Sequence, residues 1–446
     1  MRITLVKPPE QSNLNFGTFS LAVLAAAVRD IADITILDLT HKKEEAVDMV
    51  LKMSPDLIGI TTMGLASVAP STRLVKALHD AEIPIIVGGH GATMTPQPLL
   101  EAGADAVVCG EGEVTFREVI EKGISPEIKG LAFLKNGQIV KTPPRPLIES
   151  LDTLKEPARD LAGPRPEGQG VALLETSRGC PHNCIFCEAT RFYHNVWRAR
   201  SPKIVVHDIQ TLVERGAQVI HIVDDNFTAN PKRALKICEL LDKGSLPLFF
   251  FFSARSDDLL RIPELIPALA RSHFLRAGIG IETLEPELAL YIDKPITFEQ
   301  HQKVFTSLRK AGIFTMGSFI MGLPSETEEM RARSVDLAVK VGVDAAQFVP
   351  FQPLPGTPVE KGSGEPELWA QEAAHEATLQ FRRHPVVVSR LLETSRQMTV
   401  QGILARVNLV KRLEENVLDP RDAERISQEL KEIDPHILSK GISQEN

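Results

Sequence analysis

Cys180, Cys184 and Cys187 stand in the run TSRGCPHNCIFC, a Cys-x3-Cys-x2-Cys spacing on a short loop shaped by Gly179 and Pro181. Three thiolates on one loop can wrap a 4Fe–4S cubane. Such a cluster needs four ligands, so one iron stays open to an outside chelator. The alternative chemistry is a zinc site with His182 or His194 as fourth ligand. Zinc knuckles usually join two close-set ligand couples, and no second couple is found; Cys109 and Cys238 are distant and fall within predicted elements. The five cysteines do not form a disulfide-type pattern. They point to a metal site in a reducing compartment.

The elements that must position this loop can be read from the hydrophobic pattern. Short β-branched runs at 3–9, 33–39, 57–63, 84–90 and 106–112 alternate with helical stretches, which predicts a doubly wound parallel sheet of Rossmann type over residues 1–141. Asn136 and Gly137 mark a hairpin at its edge. A proline-rich strap, 142–170, follows. Six further βα units over 171–365, with strands near 171–179, 219–226, 247–255, 275–283, 314–323 and 345–352, predict a partial or full parallel barrel. Its chemistry would sit at the C-terminal strand ends, where the cysteines lie. Residues 366–446 read as helices that cap the barrel mouth, brace the packing or form a dimer face; Asp419 and Pro420 open the last one.

With Phe186 as the aromatic of a CxxxCxφC run after the first barrel strand, the chain resembles the radical S-adenosylmethionine (SAM) superfamily. The resemblance implies a 4Fe–4S cluster held by Cys180, Cys184 and Cys187. Its open iron binds SAM, and one electron from a donor such as flavodoxin or ferredoxin cleaves SAM to a 5′-deoxyadenosyl radical. It further places Asp224 and Asp225 on the SAM amino group, Ser253 and Arg255 on ribose or carboxylate, and Glu282 on ribose. Gly322, in GSFIMGLPSE, falls beneath the adenine. The plainer readings are a helix N-cap for Asp224 or Asp225, a Glu282–Arg255 salt bridge, and close strand packing for the glycine.

The first domain's strand ends read TTMG, GGHGAT and GEGE. Their order resembles the cobalamin-binding domain that precedes the barrel in one large radical SAM class. That resemblance puts Thr61, Thr62, Gly88, Gly89, Thr93, Gly110 and Glu111 against cobalamin. No DxHxxG occurs, so no histidine of that motif sits below the cobalt. His90 is a conceivable ligand, or simply a hydrogen-bonded loop histidine. GxGxxG is absent as well, which argues against a dinucleotide.

The resemblance implies a cobalamin-dependent radical SAM enzyme. Two outcomes stay open: C-methylation of an unactivated carbon through methylcobalamin, or oxidative cyclisation of the anaerobic porphyrin-cyclase kind. A non-catalytic corrinoid- or cluster-binding protein is the remaining class. Lipid, tetrapyrrole, peptide and small-metabolite substrates fit equally. The 446 residues carry a formal charge of −8, which gives no reason to expect a nucleic-acid partner. The N-terminus lacks a signal pattern and the longest apolar runs, such as 246–252, are too short to span a bilayer. A cytoplasmic protein without transmembrane segments is expected.

Overall fold

In the computed structural model, which describes residues 1–9, 17–162, 170–242, 248–361, 365–397 and 400–433, the first apolar runs become one sheet. Its strands are β1 (Arg2–Lys7), β2 (Asp33–Asp38), β3 (Leu57–Thr61), β4 (Ile85–Gly88), β5 (Ala106–Val108), β6 (Leu131–Lys135) and β7 (Gln138–Lys141). They lie in the order β2-β1-β3-β4-β5-β6-β7. The five leading strands are parallel. β6 and β7 run antiparallel about Asn136 and Gly137, both at positive φ, as a two-residue hairpin turn demands. Separate apolar cores fill the two faces. The chain leaves β1 in both directions, so the sheet's switch point lies between β1 and β3, and its C-terminal edge there is the natural crevice.

The second sheet takes β8 (Val171–Leu174), β9 (Val219–Ile222), β10 (Phe249–Ala254), β11 (Phe274–Glu282), β12 (Phe314–Met321) and β13 (Ala345–Pro350). The six are parallel, in sequence order from β8 to β13. β8 and β13 do not pair, so the barrel is partial. Along β10, Phe250, Phe252 and Ala254 face the helices, while Phe249, Phe251 and Ser253 line the half-barrel's interior. The first barrel strand is shorter than its apolar run. It breaks after Leu174, and Ser177–Arg178 instead pair antiparallel with Arg198–Ala199, which turns the cysteine loop back over the barrel end.

Helices Leu368–Arg383, Pro385–Ser395, Val400–Glu414 and Pro420–Ile433 follow. Phe381, Val387, Leu391, Leu409 and Leu430 belong to the same apolar core as the barrel helices, so this region braces the open β13 edge. The strap is pinned to the first domain by Ala158 N donating to Ala22 O at 2.9 Å and by an Arg29–Asp160 ion pair at 2.8 Å. Its residues 163–169 lie outside the described residues, as does 434–446 of the helical tail. No helix among the described residues is long and apolar enough to cross a membrane.

Candidate active site between the two sheets

The cysteine loop lies over the ends of β9, β10 and β11, held by side chains those strands deliver. Arg255 Nη1 donates to Cys184 Sγ at 3.1 Å, and Asn226 Nδ2 approaches Cys180 Sγ at 3.9 Å. From the other side, Ile185 N donates to Ile292 O at 3.2 Å. Burial pushes the Cys180 thiol up to about 11 and raises Cys187 as well. These thiols therefore lose their protons only against a cation, as metal loading requires. No disulfide joins any of the five cysteines. His182 gives its Nε2 to Asp258 at 3.1 Å, and that carboxylate also accepts from Asn226 Nδ2 at 2.7 Å; Asp258 is a site residue with no signal in the sequence, and Asn226 one that showed only as part of the polar strand end DDNF. His194, the other zinc alternative, is exposed on a left-handed turn.

The two adjacent aspartates, in the turn beyond the end of β9, divide their work. Asp224 is buried and accepts from Thr176 N at 2.6 Å, Thr176 Oγ1 at 2.5 Å and Ser177 Oγ at 2.6 Å. It ties β9 to the start of the cysteine loop. Asp225 is exposed to the cavity and accepts from Gly179 N at 3.0 Å, and desolvation there pushes its carboxyl up to about 6. Neither caps the next helix; Asn230 does, its side chain accepting from Arg233 N. Arg255 is clamped by Asp257 at 3.0 Å. Glu282 faces Lys294 at 2.9 Å, so the Glu282–Arg255 bridge does not form. Glu282 also sits at φ +66, beside a register shift against β12, a strained backbone of the sort that clusters at functional sites. Gly322 N donates to Glu326 at 2.6 Å, under Trp369 and Ala370 of the helical tail.

Opposite stands the edge of the first sheet. Thr62 Oγ1 donates to Ser71 Oγ at 2.9 Å, fixing the turn after β3. Thr93 Oγ1 donates to Gly89 O at 2.8 Å and accepts from Gly110 N at 3.0 Å, joining the turns after β4 and β5. Gly89 has φ +104, and a Cβ there would fall 2.4 Å from Thr62 O, so only glycine fits. Between the edges lies a cavity of about 520 Å³. Its apolar side is Phe19, Leu24, Ile60, Ile86, Val108 and Phe116; Thr61, Gly88, Gly89 and Gly110 line it from one sheet, Asp224, Asp225 and Ser253 from the other.

Glu111 lines the cavity too, but its carboxylate is engaged. It accepts from Arg178 Nη1 at 2.8 Å and Arg198 Nη1 at 2.9 Å, while Glu113 accepts from Arg178 Nη2 at 2.7 Å. The side chains of Arg178, Glu111 and Glu113 are only 6%, 5% and 10% exposed. Burial works against these charges; Arg198 and Arg178 nevertheless pull Glu111 below its ordinary pKa. Arg178 directly precedes the cysteine loop, so this pairing staples the loop to the other domain. His90 adds an apolar seam, its ring stacked on Phe192 at 3.8 Å, and burial pushes its pKa down to about 4.

The implied cofactors fit this arrangement. Three sulfur donors on one loop, with N–H groups aimed at two of them, suit a cluster whose sulfurs carry negative charge. Asp225, exposed to the cavity, and the buried Glu282 and Arg255 suit a small zwitterion. The glycine-edged, apolar cavity suits a broad ligand approached by backbone.

Residues 174–338 match the radical SAM superfamily, and residues 12–120 match the B12 binding domain. An uncharacterized methyltransferase of Pyrococcus horikoshii is 31% identical over 412 residues, 87% of this chain and 87% of its own. The anaerobic magnesium-protoporphyrin IX monomethyl ester cyclase of Rubrivivax gelatinosus is 27% identical over 347 residues, 74% of this chain and 62% of its own. Among solved structures, the radical S-adenosylmethionine methyltransferase TsrM from Kitasatospora setae has a similar fold. Its TM-score is 0.69 at 20% identity, over 80% of this chain and 74% of that one. With a matching domain on each side of the cavity and a relative of that identity along most of its length, the chain belongs to the radical SAM superfamily, in the class that carries a B12 binding domain, and is a radical SAM enzyme whose cofactors are a 4Fe–4S cluster, SAM and cobalamin.

Proposed function

We propose that the chain is a C-methyltransferase acting on an unactivated carbon, with substrate held in the cavity between the two sheets. The observation that carries this reading is the shared cavity: the glycine-rich edge of one sheet and the polar strand ends of the other line the same 520 Å³ space. When bound, the cluster and SAM supply a 5′-deoxyadenosyl radical, and cobalamin supplies the methyl group. Both are useful only if they reach one carbon.

In this reading Cys180, Cys184 and Cys187 hold the cluster, and Arg255 and Asn226 steady its thiolates. Asp225, Ser253, Arg255 and Glu282 orient SAM, with Gly322 beneath its adenine. Asp224, tied by three hydrogen bonds to Thr176 and Ser177, keeps the cysteine loop in register. Thr61, Thr62, Gly88, Gly89, Thr93 and Gly110 form the cobalamin edge, and Glu111 holds that edge to the barrel. The boundaries 1–141, 142–170, 171–365 and 366–446 serve as the working division of the chain. Phe19, Ile60, Val108 and Phe116 exclude water, which protects a carbon radical from quenching.

Reconstituted enzyme incubated with SAM and a reductant tests the reading. Expected products are 5′-deoxyadenosine and S-adenosylhomocysteine. No 5′-deoxyadenosine overturns the radical mechanism. 5′-Deoxyadenosine without S-adenosylhomocysteine replaces methylation by cyclisation, the outcome favoured by the similarity to the Rubrivivax gelatinosus cyclase.

A further inference from the structure

Most buried or half-buried arginines among the described residues have an evident partner. Arg178, Arg198, Arg200 and Arg255 face carboxylates. Arg233, Arg406 and Arg412 donate to backbone carbonyls. Arg276, half-buried on β11, has neither. Among the described residues its one hydrogen-bond acceptor is the Met316 thioether, 3.3 Å from Nη2, and its guanidinium lies 5.3 Å from the centre of the Phe251 ring. A thioether is a weak acceptor. Burial lowers the pKa of Arg276, and no carboxylate offsets it.

Strand alternation puts this cation inside the half-barrel. Ala277, Ile279 and Ile281 face the helix-side core, so Arg276 and Gly278 face inward. Its neighbours there are Phe251 and, beyond it, His221, which with Ser253 lines the cavity between the sheets. Gly278 is in register with both Ser253 and Met316. By reaching Met316, the guanidinium approaches the layer of Ser253, behind the residues that line the cavity. Ser318 and Gln347, register partners on β12 and β13, offer a hydroxyl and an amide to the same interior. The guanidinium sits beside the Phe251 ring with only Nη2 engaged, by a thioether, which leaves N–H groups that can grip a carboxylate or phosphate.

We infer that Arg276 anchors an oxyanion, a carboxylate or a phosphate, carried by the part of the substrate that reaches past His221 and Ser253 of the cavity lining into the half-barrel. The inference rests on the proposed reading of the cavity as the substrate's place. Phe249, Phe251 and Met316 surround the site with apolar surface, so the group belongs at the end of an apolar body. A neutral lipid or an amine would leave the guanidinium unsatisfied.

Chain-matched probes test this. Enzyme carrying its cluster and cobalamin is titrated calorimetrically with octanoate, octyl phosphate and octanol. At least one anion is expected to bind about tenfold or more tightly than octanol, the strength of a charge-assisted hydrogen bond. The tighter of the two anions names the head group. Arg276→Met should bring the anion down to the level of octanol, and Arg276→Lys should keep part of the preference. Anions no better than octanol on the wild-type enzyme overturn the inference without any variant. Unchanged anion binding in Arg276→Met overturns it too, as does loss of SAM affinity in parallel with anion binding, which would make Arg276 a SAM contact. The readout is binding, so a missing S-adenosylhomocysteine signal would defeat the methylation reading and leave this result standing.

Discussion

The two surfaces that meet at the cavity are built by opposite means. At the barrel end nearly every polar side chain is already committed: Asp224 to three donors, Arg255 to Asp257 and Cys184, Glu282 to Lys294, His182 to Asp258. At the edge of the first sheet the work is done by backbone, with Gly88, Gly89 and Gly110 between threonine hydroxyls that tie one turn to the next. Locked side chains bind a compact, charged ligand with little reorganisation. A glycine edge over apolar walls binds a large, flat one through contact area. The difference teaches that substitutions on the two sides should fail differently.

The largest expected effect separates them outright. Cys184→Ala should abolish cluster absorbance and 5′-deoxyadenosine formation while leaving cobalamin binding intact; cobalamin lost along with iron would mean that the two surfaces are one folding unit. Arg178→Met should instead damage both. It strips the arginine from Glu113 and leaves Glu111 with Arg198 alone, and breaking a buried pair costs about 3–5 kcal/mol, visible as a lower unfolding temperature with both cofactors bound more weakly. Gly89→Ala acts on one side alone. It forces a Cβ to within 2.4 Å of Thr62 O at φ +104, a strain of about 1–3 kcal/mol, and should weaken cobalamin binding with iron content unchanged.

The smallest effect lies in the pH dependence. His90 is neutral in the folded protein, with its pKa lowered from 6.5 to about 4. The unfolded chain therefore takes up a proton first as pH falls, so this residue's contribution is full above about 6.5 and is lost progressively towards 4. His90→Phe keeps the stack on Phe192 and should flatten that acid slope in a thermal melt. Asp225, raised by desolvation to about 6, contributes in the opposite sense over the same range, so the wild-type minus variant difference is the quantity to read. An unchanged slope would remove His90 from the seam's energetics. A changed cobalamin spectrum in this variant would make it a ligand.

Much of this architecture was legible in the sequence. Each parallel strand announced itself as a short apolar run, β-branched in the first domain, and the cysteines and acids stood directly after such runs, where a strand end must deliver them. What the string of residues concealed was partnership. Asp224 and Asp225 are equivalent on paper; the turn beyond β9 buries the first among Thr176 and Ser177 and directs the second to Gly179. Lys294 takes Glu282 because the chain returns after one short helix, a closure no local pattern records. Glu111 read as part of a cofactor-contacting turn, yet its carboxylate goes to Arg178, whose partnership depends wholly on how the two domains dock. Asn226, one residue beyond the paired aspartates, was visible in the run DDNF. Its reach to Cys180 and Asp258 was not.

The Arg178 staple also bears on how such proteins can be recombined. The residue that opens the cysteine loop has its charge neutralised by two acids of the neighbouring domain, so the halves are not free-standing cassettes. A B12 binding domain grafted from a relative without acids at positions 111 and 113 would bury Arg178 facing the cavity with only Glu175 to answer it. The Glu-x-Glu turn is thus a compatibility mark. A chimera that keeps it transfers the loop's anchor along with the new cobalamin edge, and one that lacks it trades a cofactor domain for a misplaced cluster.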